Sequence, residues 1–323
     1  MLDLIRSRPI LSYFVLACGL SWLGWLNYIL SANGLGVTDV EYPVILGSTQ
    51  PLGVLPGAYL GPIGSALIVT AVVDGRAGLR AWAGRLLRFR VNWRWYAVSL
   101  LAVPAGLIVA GTAVSLAMGG SVVAPSLALL VLYPPLLVLQ LLTTGLAEEP
   151  GWRDFALNRL QKRFSPLAAA AILGPVWALW HYPLFLTDWA EGSGRNVASL
   201  LFFTVFCLSF NVVMSWVFNR TDESLPLSMF MHVSVNNFVS VIWSAMFPTI
   251  PSQVVTPILA VTALTAAITI ILATRGRLGR SPRPASLPVH ELPALEEIEG
   301  QEAPSAPVTQ TADASRQGLP SGS

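Results

Sequence analysis

The sequence predicts an all-α membrane protein, a polytopic bundle of about eight transmembrane helices followed by a disordered tail. Three observations predict it. Only 11% of the 323 residues are charged while 54% are hydrophobic, against about a quarter charged in an ordinary soluble domain. Several apolar runs reach the ~20 residues that a helix needs to cross the bilayer core. Basic residues also gather in alternate loops, as they do in a chain threaded back and forth through a membrane.

The spans read as 10–31, 52–73, 95–118, 125–147, 166–187, 197–218, 226–247 and 254–274. Arg6 and Arg8 precede the first, and Arg76, Arg80, Arg85, Arg88, Arg90 and Arg94 follow the second. Arg153, Arg159, Lys162 and Arg163 follow the fourth, Arg220 the sixth, and Arg275, Arg277, Arg280 and Arg283 the eighth. The opposite loops hold Arg195 alone among basic residues, and Asp188 and Glu191 read with it as an external loop. By the positive-inside rule both termini face the cytoplasm of a plasma-membrane protein, which an even number of spans allows. The first apolar stretch is too long for a signal-peptide core and lacks a small-residue cleavage site, so it reads as a span. Cys18 and Cys207, single cysteines in separate spans, read as small buried apolar residues.

Residues 1–280 therefore form the membrane domain. From 281 to 323 the composition turns to Pro, Ala, Ser, Glu and Gln, which cannot bury enough surface to fold and predicts a disordered cytoplasmic tail with His290 solvated. Internal repeats, a glycine-rich phosphate loop and nucleic-acid motifs are all absent from the sequence, so a nucleic-acid partner is not expected. The missing repeat also counts against a transporter with related halves. The arginines at 76–94 read as charge lying on the membrane surface.

Chemistry enters with a few polar residues inside the apolar spans. Glu148 and Glu149 are adjacent at the end of the fourth, His181 lies in PVWALWHYPLF, and His232 lies in LPLSMFMHVSVNNF. Ionisable groups in a membrane segment are costly and usually mark a functional path. Two carboxylates and two imidazoles are also the usual parts for activating water. Taken one by one, each has a plain structural alternative: an acidic helix end, an aromatic belt around His181, or interhelical hydrogen bonds from His232 and Asn236. Asn211 in the sixth span fits that last alternative best.

Spacing draws the residues together. Pro166 suits the first turn of a helix, so a hairpin turns near Phe164–Pro166. Glu148 lies 17 residues before Ser165 and His181 lies 16 after it, which puts both at about 25 Å from the turn if the helices are regular and antiparallel. His232 and Asn236 are four apart and share a helical face, at about 9–15 Å from the start of their span. Glu149 and Arg153, also four apart, suit an ion pair that leaves Glu148 turned about 100° away. Pro150 removes a backbone donor just after the acidic pair.

These residues carry a resemblance. EEPGWRDFAL resembles the first motif, Glu-Glu-x-x-x-Arg, of the CPBP family of type II CAAX prenyl endopeptidases and bacteriocin-processing or immunity proteins. PVWALWH resembles the second, with Trp177 ahead of His181, and HVSVN resembles the third, His-x-x-x-Asn, at His232 and Asn236. The match covers about residues 140–245, within a protease core of about 125–250. It departs at Asp154, where bacterial members often carry glycine.

The resemblance implies an intramembrane endopeptidase acting on a peptide or lipidated protein, prenylated or not. Glu148 would be the general base, His181 would position the water, and His232 with Asn236 would stabilise the oxyanion. Glu149 and Arg153 would brace the site. No cofactor is favoured. Zinc held by Glu148, His181 and His232 is the alternative that the two-His, one-carboxylate pattern allows. A non-catalytic membrane immunity or peptide-binding protein is the alternative from another class.

Overall fold

The computed structural model describes residues 2–190 and 196–280. The predicted tail at 281–323 with His290, and the loop residues Glu191 and Arg195, lie outside the described residues. A short helix, Leu2–Ser7, leads into α1 (Pro9–Leu30), followed by α2 (Leu55–Val73) and a surface helix α3 (Gly75–Leu86). Then come α4 (Trp93–Ala117), α5 (Leu127–Leu160), α6 (Pro166–Leu186), α7 (Val197–Arg220), α8 (Leu225–Met246) and α9 (Ser252–Thr274). All but α3 are long and apolar enough to cross a membrane, and no strand is present among the described residues. The eight expected spans are all found, most within about three residues of the expected bounds.

The fourth is the exception. α5 runs past the expected span bound at residue 147 to Leu160, as the hairpin reading required, taking both glutamates, Arg153 and Asp154 into a single helical rod. The Pro-Gly pair at 150–151 fails to end it because the backbone widens into π turns. Those turns occupy Leu141–Gly145 and again Pro150–Leu157. A π turn bonds i to i+5 and absorbs irregularity without breaking the helix, and the missing proline N–H falls at its first residue. Glu148 and Glu149 sit in the one α turn between the two wide stretches, Leu146–Glu149. The chain then reverses where expected: Ser165 Oγ accepts from the Ala168 N–H at 3.2 Å, and Pro166 opens α6.

Close helix approach rests on glycine, as it commonly does without a hydrophobic driving force in lipid. A Cβ at Gly151 would lie 2.4 Å from the Tyr13 hydroxyl and 2.6 Å from the Pro62 backbone, so α5 meets α1 and α2 there. A Cβ at Gly174 would lie 2.6 Å from Leu208 Cα, where α6 meets α7. α8 is the most enclosed of the eight spans.

Two expectations about loop charges need correction. Asp188 is not a solvated loop residue. It accepts hydrogen bonds from the Tyr28 and Thr49 hydroxyls and from Asn33 Nδ2 at 3.1 Å, and so ties the 31–49 loop to the end of α6. Arg85 is not free surface charge, because its guanidinium pairs with Asp154, whose carboxylate is otherwise shut from solvent. An unpaired carboxylate there would be strongly disfavoured, and the residue that departs from the family motif is thereby accommodated. Cys18 and Cys207 are buried free thiols.

Candidate active site

Glu148 and Glu149 are buried, 4% and 0% exposed, yet neither lacks a partner. The one-residue offset sends them different ways. Glu149 Oε2 accepts from Arg153 Nε at 2.9 Å, and its Oε1 meets His232 Nδ1 at 2.8 Å. Glu149 is thus a bridge between α5 and α8, and both of its oxygens are occupied. The ion pair expected from the four-residue spacing is present, although the backbone between the two residues is a π turn. Arg153, fully buried, is held further by the Asn211 carbonyl oxygen on α7, while Asn211 Nδ2 donates to the Ala170 carbonyl at 2.6 Å. Asn211 has the interhelical role expected of it, and that role supports the site.

Glu148 faces α6. Its Oε2 accepts from the Trp177 indole N–H at 2.8 Å, and no described residue bonds its Oε1. The helix opposite Glu148 therefore presents Trp177, one turn closer to the hairpin than His181. A regular helix would have put His181 at the same depth. The π stretch between Glu148 and the turn packs more residues into each turn, so counting residues overestimates the depth of Glu148.

Trp177, named in the second motif but given no role there, is the hub. Besides bonding Glu148, its ring stands edge-on to His232 at 5.3 Å and to His181 at 5.8 Å, and the Arg153 guanidinium carbon lies 5.7 Å from its centroid. Its spacing of four from His181, hence one helical face, was the available signal. His181 Nδ1 lies 2.9 Å from the Trp177 carbonyl, and the imidazole is boxed by Trp180, Trp189 and Phe203. Trp189 stacks on it at 5.6 Å. This is a packed site rather than an aromatic belt at an interface.

His232 lies on the same level as Glu149 and Trp177, so its apparent shallowness in the sequence disappears once α5 is seen to run past Arg153. Asn236 follows one turn later on α8, partly exposed, while its neighbour Asn237 donates to the Tyr133 carbonyl at 3.0 Å. The structure thus gathers Glu148, Glu149, Arg153, His181 and His232 around Trp177, and places Asn236 one turn away.

The donor set does not fit a zinc site as it stands. Among the described residues no group of three His, Cys, Asp or Glu side chains is close enough to hold a metal.

The family described as type II CAAX prenyl endopeptidase Rce1-like matches residues 130–238, from α5 through the third motif. CAAX prenyl protease 2 of Methanococcus maripaludis is 26% identical over 190 residues, covering 56% of this chain and 69% of that protein. The matched region holds every residue gathered around Trp177, and over it the chain, a multi-pass membrane protein, is similar to type II CAAX prenyl endopeptidases.

Proposed function

We propose that the chain is an intramembrane endopeptidase that hydrolyses a peptide bond of a membrane-associated peptide or lipidated protein, with Glu148 as general base. The observation that carries this reading is the unequal treatment of two adjacent carboxylates. Glu149 has both oxygens committed to Arg153 and His232, which suits a brace. Glu148 has one oxygen fixed by Trp177 and the other free, which suits a base held in place. A purely structural acidic pair has no need of that difference.

In the reaction, the free Glu148 oxygen takes a proton from water, and the hydroxide attacks the scissile carbonyl carbon. The carbonyl oxygen becomes an oxyanion. Asn236 Nδ2 and His232 Nε2 are the candidate donors to it; Nε2 donates when the ring is an imidazolium, for which the Glu149 carboxylate is the counter-charge. The tetrahedral carbon then expels the amine, which leaves with the proton carried by Glu148. His181, fixed through Nδ1, directs its other nitrogen toward the water. General-base catalysis of this kind contributes about 10²–10⁴-fold, and one oxyanion donor about 10²–10³-fold. The arginine distribution supports a cytoplasmic position for both termini.

The test is cleavage of a fluorogenic peptide library with lipidated members by the purified protein, alongside Glu148→Ala and His232→Ala, with and without a zinc chelator. Cleavage that both substitutions abolish and the chelator spares is expected. Loss with chelator and recovery with zinc would overturn the metal-free mechanism. Failure to cleave any peptide would favour a non-catalytic peptide-binding or immunity protein.

A further inference from the structure

The segment between α2 and α4 has a feature that the protease reading does not use. From Gly75 to Arg94 it holds six arginines and no acidic residue. In α3, Leu79, Trp82, Ala83 and Leu86 form a stripe at helical spacing that is half-buried against the bundle, while Arg76 and Arg80 are exposed on the other side. The loop that follows and the start of α4 expose Arg90 and Arg94 together with Leu87, Phe89 and Trp93, the last three 70%, 51% and 72% exposed. Arginines interleaved with exposed aromatic and aliphatic side chains, between two spans and hence at the membrane surface, complement an anionic headgroup layer.

The same segment is clamped to the helices that carry the site. At one end of α3, Asp74 pairs with Arg159, whose guanidinium also sits 3.8 Å from the Phe155 centroid. At the other end, Arg85 pairs with Asp154. Both partners lie in the last turns of α5, and Asp154 follows directly on Arg153. Arg88 donates to the Asp222 carbonyl, and the Ser224 hydroxyl donates to the Arg88 carbonyl at 2.7 Å, just before α8 begins. One strap therefore touches both helices that the Glu149–His232 contact joins.

We propose that residues 75–94 seat on an anionic-lipid headgroup layer, and that the Arg85–Asp154 and Arg159–Asp74 pairs pass that seating to the π stretch beside the acidic pair. This goes beyond the protease reading and does not depend on it. The occupant is the phosphate of an anionic phospholipid, drawn to the exposed arginines near the membrane surface.

The first readout is lipid retention by native mass spectrometry, with phosphatidylglycerol and phosphatidylcholine of identical acyl chains offered in equal amounts. The wild type retains the anionic lipid about tenfold more, and the variant Arg76→Gln/Arg80→Gln/Arg90→Gln/Arg94→Gln does so by less than twofold while keeping its unfolding temperature in phosphatidylcholine. The second readout is amide hydrogen exchange over residues 146–160 in nanodiscs of each lipid. Exchange slows several-fold in the anionic lipid for the wild type. In Asp154→Asn and Arg85→Gln the lipid preference stays and the slowing disappears, and Arg85→Lys recovers part of it. Equal retention of both lipids by the wild type, or a preference that survives the fourfold substitution, overturns the docking. Exchange that ignores lipid type in the wild type, or still responds in Asp154→Asn, overturns the coupling.

Discussion

Two neighbouring glutamates turn toward different helices. Glu149 turns to α8 and α5's own Arg153, and both of its oxygens are bonded. Glu148 turns to α6, where a single indole N–H fixes one oxygen. Trp177 is therefore the residue whose change separates position from shape. Trp177→Phe keeps a ring against His181 and His232 but removes the donor. A hydrogen bond to a charged group is worth about 1.5–3 kcal/mol, so peptide turnover should fall about 10- to 100-fold with little change in unfolding temperature. An equal fall in stability and turnover would instead assign the ring a packing role alone.

At the scale of the elements, the π stretches of α5 explain both what was legible in the sequence and what was not. The three polar motifs, their order and the helical-face spacing of Glu149 with Arg153 are local patterns, and they survive into the structure. The continuation of α5 toward the turn near Phe164–Pro166 was legible, but the π turns on either side of the acidic pair were not. The register of Glu148 with Trp177 was lost for the same reason. Tertiary partners stayed hidden as well: Asp154 gains its cation from α3, and Arg153 gains Asn211 from α7, at separations no local pattern reports. Gly151 is a visible cause with a measurable consequence. Its Cβ position is occupied by Tyr13 and Pro62, so Gly151→Ala must push α5 off α1 and α2. Overpacking of this kind costs about 1–3 kcal/mol, read as a lowered unfolding temperature; an unchanged value would mean that the contact yields freely.

For the whole molecule, the bilayer solves most of the architecture. Span number and approximate bounds follow from apolar length alone, since a backbone in lipid must satisfy its own polar groups within helices. What the bilayer does not specify is which polar residues share an interior, and that depends on α8 lying enclosed among its neighbours. The arginine distribution predicts an orientation with both termini on one side. Cysteine labelling of intact cells and inverted vesicles, with single cysteines placed at Ser7 and at Ser281 in a background free of Cys18 and Cys207, should report both ends as cytoplasmic. Opposite accessibility of the two ends would require an odd number of spans.

The most direct measurement compares Glu148→Gln with Glu149→Gln, in turnover of one cleaved peptide and in unfolding temperature. Glu148→Gln should keep the wild-type unfolding temperature and lose about 10²–10⁴-fold in turnover, since it removes only the base. Glu149→Gln should lower the unfolding temperature as well, because it leaves Arg153 buried without its counter-charge. Turnover within a few-fold of wild type in Glu148→Gln would contradict the assignment of Glu148 as the base and the reading of the site built upon it.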